Sequence, residues 1–208
     1  MAAESAEFWD RTAPGYSERP IADTEAYARK LAATQAHMRP DMTVLEFGCG
    51  TGSTALTHAP HVAHIDATDI SAAMIAIGRD KAGRAGIGNV TFRQSGVEEF
   101  DAPDGSYDMV LALNLMHLLR DRPAALAKIH RLLKPGGLFV SSTVCLADRL
   151  WLLRPVIPVM QWLGKAPYVS FARSSTVLRE IEAAGFVPQE HWRHGNASSL
   201  FVIARKQD

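Results

Sequence analysis

At 208 residues, 47% hydrophobic and 21% charged, the chain has the size and composition of one globular domain with a sizeable core. Its 22 basic residues balance 22 acidic ones, which argues against a long-range field drawing it to nucleic acid. Two cysteines, Cys49 and Cys145, exclude a disulfide framework, and no apolar run reaches the ~18 residues of a spanning helix, so a reducing, cytoplasmic setting is expected.

Residues 1–22 carry Trp9, Pro14, Gly15, Tyr16 and Pro20 and read as a broken segment. It is either an arm whose aromatics dock on the core or a lid over a ligand. Thr24 is expected to cap a helix through about Met38, with Tyr27, Leu31, Thr34 and Met38 as one buried stripe and Pro40 as the stop. Thr43 to Phe47 reads as a strand running into the glycine-dense turn Gly48-Cys49-Gly50-Thr51-Gly52, then a short helix through about Ala59.

A second strand covers His64 to Thr68 and ends at Asp69. Ser71 caps the next helix through about Ala85, with Met74, Ile77 and Lys81 on its packed side. Strands follow at Asn89 to Arg93 and Tyr107 to Leu113, the latter apolar apart from Asp108, as a doubly buried strand should be. Asp121 and Pro123 open a helix with Leu126, Ile129 and Leu133 inside, which Lys134-Pro135-Gly136-Gly137 ends before a strand at Leu138 to Val144.

This alternation leaves crossovers too long for hairpins and predicts a parallel sheet. The tail differs: Ser174 or Ser175 caps a helix ending at Gly185, and Phe186 to Trp192 and Leu200 to Ala204 should pair as an antiparallel hairpin.

Glu46 stands two residues before the first glycine, and the glycines fall at 48, 50 and 52, with Ser53 where a dinucleotide fingerprint has its third glycine. This stretch resembles motif I of class I S-adenosylmethionine (SAM) dependent methyltransferases. The blocks Asp69-Ile70-Ser71-Ala72-Ala73-Met74, Asn89-Val90-Thr91-Phe92, Asp104-Gly105-Ser106-Tyr107-Asp108 and Leu132-Leu133-Lys134-Pro135-Gly136-Gly137 look like those of the methyltransferase type 11, ubiquinone-biosynthesis-like family, in order. The resemblance implies an α/β, Rossmann-like doubly wound seven-stranded sheet, order 3-2-1-4-5-7-6 with strand 7 antiparallel and helices on both faces.

It also implies a SAM site at Tyr16, Glu46, Phe47, Gly48, Cys49, Gly50, Thr51, Gly52, Asp69, Ile70, Ser71, Met74, Gly96, Val97 and Asn114, with S-adenosylhomocysteine as product. In this reading the loop offers an approachable backbone and Asp69, at the end of the second strand, accepts from the ribose hydroxyls; its structural alternative is a helix cap. Ile70, Met74 and Val97 suit an apolar slot for adenine. One departure is Ser95-Gly96-Val97, where the family often has Gly-Asp-Ala, leaving the adenine amine to backbone groups or Glu98.

Methyl transfer is an in-line displacement in which alignment supplies much of the rate, and a base matters only for a nucleophile that holds its proton. His117 and Asn114, just past the fourth strand, are the candidate catalytic residues, with a packed structural histidine as the alternative for His117. No metal site is expected, since His191 and His194 have only Glu190 nearby. No nucleic acid is expected as partner either.

Residues 146–172 form an apolar insertion that Pro155 and Pro158 divide. It reads as a cap on an acceptor pocket lined by Trp9, His117, Trp151, Met160, Trp162, Tyr168 and Phe171, with peripheral membrane contact or a homodimer through residues 148–163 as alternatives. The acceptor is then a small hydrophobic or amphipathic molecule. Residues 1–208 are read as a single methyltransferase domain, with 1–40 its N-terminal lid and helix. A non-catalytic SAM-binding regulatory or scaffold module and a nicotinamide-dependent reductase are the competing readings.

Overall fold

The computed structural model describes residues 2–148, 157, 161, 166–194 and 198–207, with residues 2–4 in backbone only. The chain divides into two compact units, Met1–Asp101 with Tyr107–Leu111, and Ala102–Ser106 with Ala112–Asp208.

The first unit begins with helix α1 (Ala2–Glu18), unbroken through Pro14, where the sequence suggested a broken segment. Ala13 is fully buried, so packing holds the helix that Pro14 weakens. Helix α2 (Thr24–Gln35) is capped by Asp23, whose side chain accepts from Ala26 N–H at 2.9 Å, not by Thr24. It ends three residues short of Met38; of the expected stripe Thr34 is buried, Tyr27, Leu31 and Met38 are half-buried, and Ala26 is buried with Thr34.

Strand β1 (Thr43–Phe47) is apolar and doubly covered, with Val44, Leu45 and Phe47 fully buried. Helix α3 (Ser53–His58) and a 3-10 turn lead to β2 (His64–Asp69). Ser71 caps α4 (Ala72–Ala85) by accepting from Met74 N–H at 3.1 Å, as expected. The packed face of α4 is Met74, Ile75, Gly78 and Ala82; Ile77 and Lys81 are half-buried at its edge. Strand β3 (Val90–Gln94) starts and ends one residue later than expected, and the Asn89 side-chain amide donates to the carbonyls of Ala59 and Val62 at 2.8 and 3.1 Å. β1 pairs in parallel with both β2 and β4 (Tyr107–Leu113), and β2 with β3.

In the second unit, Asp121 caps α5 (Arg122–Leu132) by accepting from Ala124 N–H at 2.9 Å. β5 (Leu133–Val144) absorbs Lys134-Pro135-Gly136-Gly137, expected to be a stop, and takes Leu133 from the helix. The extension is tied by side chains of the last strand: Lys206 Nζ bonds Leu133 O and Arg205 Nη1 bonds Gly136 O, each at 2.8 Å. Neither Ser174 nor Ser175 caps α6 (Ser174–Ala183); Asp148 Oδ2 instead accepts from Ser174 N–H at 3.1 Å. β6 (Phe186–Trp192) and β7 (Ser199–Lys206) pair antiparallel, as do β5 and β7. The described strands form one seven-stranded sheet in the order β3-β2-β1-β4-β5-β7-β6.

Candidate functional site

In the first unit the glycine loop leaves the carboxyl end of β1. Gly48, Gly50 and Gly52 adopt φ of 66, 54 and 75°, the left-handed region that favours glycine. Gly52 caps α3 without a side chain, and a Cβ on Gly50 would meet nothing nearer than Tyr16 Cε1 at 3.9 Å. The backbone at Gly50 is therefore open to a ligand.

Asp69, at the end of β2, reaches back to the loop. Its Oδ2 accepts from Gly50 N–H and its Oδ1 from Ser71 N–H, both at 2.9 Å. Each oxygen keeps a lone pair for a hydroxyl donor. Burial raises its pKa, against the hydrogen bonds from Ser71 and Gly50, which lower it. The carboxylate thus ties the glycine loop to the start of α4, while Ser71 takes the helix cap.

Glu46 is buried within β1, and its Oε2 has no hydrogen-bond partner. Burial, and then the charge of Asp69, push it up to about 8. Cys49 is buried and its thiol raised well above its usual value, chiefly by desolvation. Thr51 accepts from Lys81 Nζ at 2.8 Å, a tie between α4 and the loop that sequence reading assigned to packing.

Met74 and Val97 are buried, and Ile70 is half-buried with its Cγ2 3.3 Å from the position of a Cβ on Gly96. Glu99 accepts from Gly96 N–H at 3.2 Å, and both Glu98 and Glu99 are exposed. Trp9 and Tyr16 meet edge to face on α1, centroids 6.3 Å apart. Burial and the neighbouring Asp69 raise the Tyr16 phenol. Asp10, which no local pattern marks, accepts from Ser71 Oγ at 2.6 Å and Ala73 N–H at 3.0 Å.

In the second unit, Asn114 has φ of 56°, alone among described non-glycine residues in being positive. Its N–H donates to Ser142 O at 2.7 Å, and its Oδ1 accepts from Ser142 Oγ at 3.4 Å. Such strain persists only where surrounding bonds over-determine it. The His117 imidazole has a buried Nδ1 without a partner, and burial lowers its pKa to about 4, so it is neutral at pH 7.

The His117 carbonyl accepts from Ser170 N–H at 2.8 Å, and Ser170 Oγ accepts from Arg122 Nη1 at 2.8 Å. Arg122 also grips Glu180 through two bonds of 2.7 Å. This network positions the stretch carrying Tyr168 and Phe171, both half-buried, with Arg120 stacked 4.4 Å over the Tyr168 ring. The pocket candidates Trp151, Met160 and Trp162 lie outside the described residues.

Residues 44–137 match the model of a methyltransferase domain. Over 103 residues the chain is 36% identical to the ubiquinone/menaquinone biosynthesis C-methyltransferase of Vibrio vulnificus, covering 48% of this chain and 40% of that one. It is 29% identical over 194 residues to the ubiquinone biosynthesis O-methyltransferase of Acinetobacter baumannii, covering 90% and 80%. The chain spans less than half the length of the first curated relatives it matches. Its fold is shared with an S-adenosylmethionine dependent methyltransferase from Mesorhizobium loti, TM-score 0.73 and 20% identity over 87% of this chain and 98% of that one. Loop, strand order and domain match agree: residues 44–137 are a methyltransferase domain.

Proposed function

We propose that the protein transfers a methyl group from SAM to a small hydrophobic or amphipathic acceptor by in-line displacement. The observation that carries this reading is the Asp69 carboxylate bonded to Gly50 N–H beside three glycines of positive φ. Three features fit the nucleoside. The backbone at Gly50 is open, each Asp69 oxygen has a free lone pair for a ribose hydroxyl, and the buried Glu46 Oε2 lacks a partner.

When bound, SAM supplies a methyl group on a positive sulfonium, already activated for displacement. Glu46 to Gly52 and Asp69 would hold the nucleoside, with Ile70, Ser71, Met74, Gly96 and Val97 as the residues that would meet the base and Tyr16 beside Gly50. The protein's task is then alignment, for which effective molarities imply up to ~7–11 kcal/mol.

Asn114 and His117 are the side chains we assign to the acceptor. A neutral His117 with a lowered pKa is a weak base and suits hydrogen bonding better than full proton removal. Relatives named for ubiquinone and menaquinone biosynthesis support an apolar, aromatic acceptor, with Tyr168 and Phe171 as candidates to meet it.

Calorimetry with S-adenosylhomocysteine and with NAD, followed by labelled-SAM transfer to a metabolite extract with product mass spectrometry, tests the reading. NAD binding without S-adenosylhomocysteine binding would sink it. Cofactor binding with no transfer would favour a non-catalytic binding module.

A further inference from the structure

Helix α1 rests on the surface of its unit: among described side chains from residue 5 to 18 only Ala13 is fully buried, while Phe8, Trp9, Asp10 and Thr12 are half-buried. Its polar attachment is concentrated at Asp10, whose Oδ1 accepts from both Ser71 Oγ at 2.6 Å and Ala73 N–H at 3.0 Å. These bonds lower the Asp10 pKa, so the latch is charged at neutral pH. Pro14 stands four residues on and has no N–H for the Asp10 carbonyl, which removes one helical bond beside the latch.

Ser71 joins this latch to the cofactor loop. Its hydroxyl donates to Asp10 and accepts from Met74 N–H, while its own N–H donates to Asp69 Oδ1 at 2.9 Å. Asp69 in turn holds Gly50 N–H. At the far end of α1, Tyr16 stands over Gly50 yet is 45% exposed, so it covers the loop without being locked into the core. Latch, serine, acid and glycine thus form one chain of contacts, and the helix crosses it twice.

We propose that α1 is a gate over the glycine loop, that Asp10 is its latch, and that latching and cofactor occupancy strengthen each other through Ser71. The inference rests on the loop being the SAM site. A ligand that fixes Asp69 also fixes the Ser71 N–H, which presents its hydroxyl to Asp10; a closed α1 in turn places Tyr16 across the exit. By linkage, each event must favour the other by the same factor.

The test uses the full chain and S-adenosylhomocysteine as probe. Release is followed by stopped flow for the wild type, Asp10→Ala, Asp10→Asn and, as a control on the exposed side of α1, Arg11→Ala. Hydrogen exchange over residues 2–18 is measured with and without the probe. Asp10→Ala should speed release by about tenfold, the low end for a charge-assisted bond because the carboxylate is water-accessible. Asp10→Asn, which keeps an accepting oxygen, should do less, and Arg11→Ala nothing.

In the wild type the probe should slow exchange throughout α1, and in Asp10→Ala it should not. Wild-type release from Asp10→Ala, or α1 exchange indifferent to the probe in the wild type, overturns the gate. Should Asp10→Ala fail to fold, the wild-type exchange result decides alone. A wild type that binds no S-adenosylhomocysteine removes the cofactor reading itself, and the gate with it.

Discussion

The ring of Phe92 occupies the space that Gly52 leaves empty: a Cβ on Gly52 would lie 2.6 Å from Phe92 Cε1. Gly78 of α4 meets the same ring, with a would-be Cβ 2.7 Å away. One aromatic from β3 therefore seats both the end of the glycine loop and the helix beside it. The third glycine of the motif is demanded twice, by a φ of 75° and by this contact.

Gly52→Ala should destabilise the protein by roughly 2–4 kcal/mol, combining left-handed strain with overpacking. Urea unfolding checks this. Adding Phe92→Leu to Gly52→Ala should recover part of the loss, a non-additivity expected of residues in contact. Simple addition of the two losses would show that the ring is not what Gly52 accommodates.

Asp69→Ala should weaken S-adenosylhomocysteine binding by roughly 1–3 kcal/mol, the scale of hydrogen bonds to a charged group. Calorimetry at pH 7 measures it. Unchanged affinity would reject the ribose role and leave Asp69 as a brace between Gly50 and Ser71.

Stability should peak near pH 6.5, because buried groups of opposite kind pull on it from both sides. Glu46 titrates at about 8 in the folded chain against 4.5 as a model side chain, mainly through burial. Its contribution is fully present below 4.5 and is lost as pH rises through 8. Burial lowers His58 and His117 to about 4 from 6.5, so their contribution is present above 6.5 and lost as pH falls through 4. Between about 4.5 and 6.5 two histidines outweigh one carboxyl, and above about 6.5 the carboxyl acts alone. Unfolding midpoints from pH 5 to 9 test the shape, and Glu46→Gln should flatten the alkaline limb. An alkaline limb that persists in that variant would assign the titration elsewhere.

Arg122→Lys should cost roughly 1–3 kcal/mol of stability, since an ammonium replaces neither the two-bond grip on Glu180 nor the bond to Ser170 together. Glu180 would be left only 22% exposed without its full partner. Denaturant unfolding of the lysine variant gives the figure, and wild-type stability would mean the clamp is solvated and nearly neutral in effect.

Much of the fold was legible because its signals are local. Apolar runs such as Val44 to Phe47 and Tyr107 to Leu113 declare doubly buried strands, and Ser71 and Asp121 announce helix starts by the bonds their side chains make three residues on. The loop glycines and the Asp69 position followed from chain-local geometry in the same way. Two of the failures were non-local. α1 runs through Pro14 because distant packing buries Ala13, and β5 claims Lys134 to Gly137 because Arg205 and Lys206 reach its carbonyls.

The glycine loop was therefore determined by the sequence alone: no residue but glycine accepts those φ values so readily, and the acid ending β2 stands at a fixed distance along the chain. Only the tertiary structure decided which partners close around it. Asp10 and Ser71 are 61 residues apart, and Lys81 and Thr51 30. Each such pair is selected by where folding brings two side chains together, and no periodicity or motif in the sequence encodes that separation.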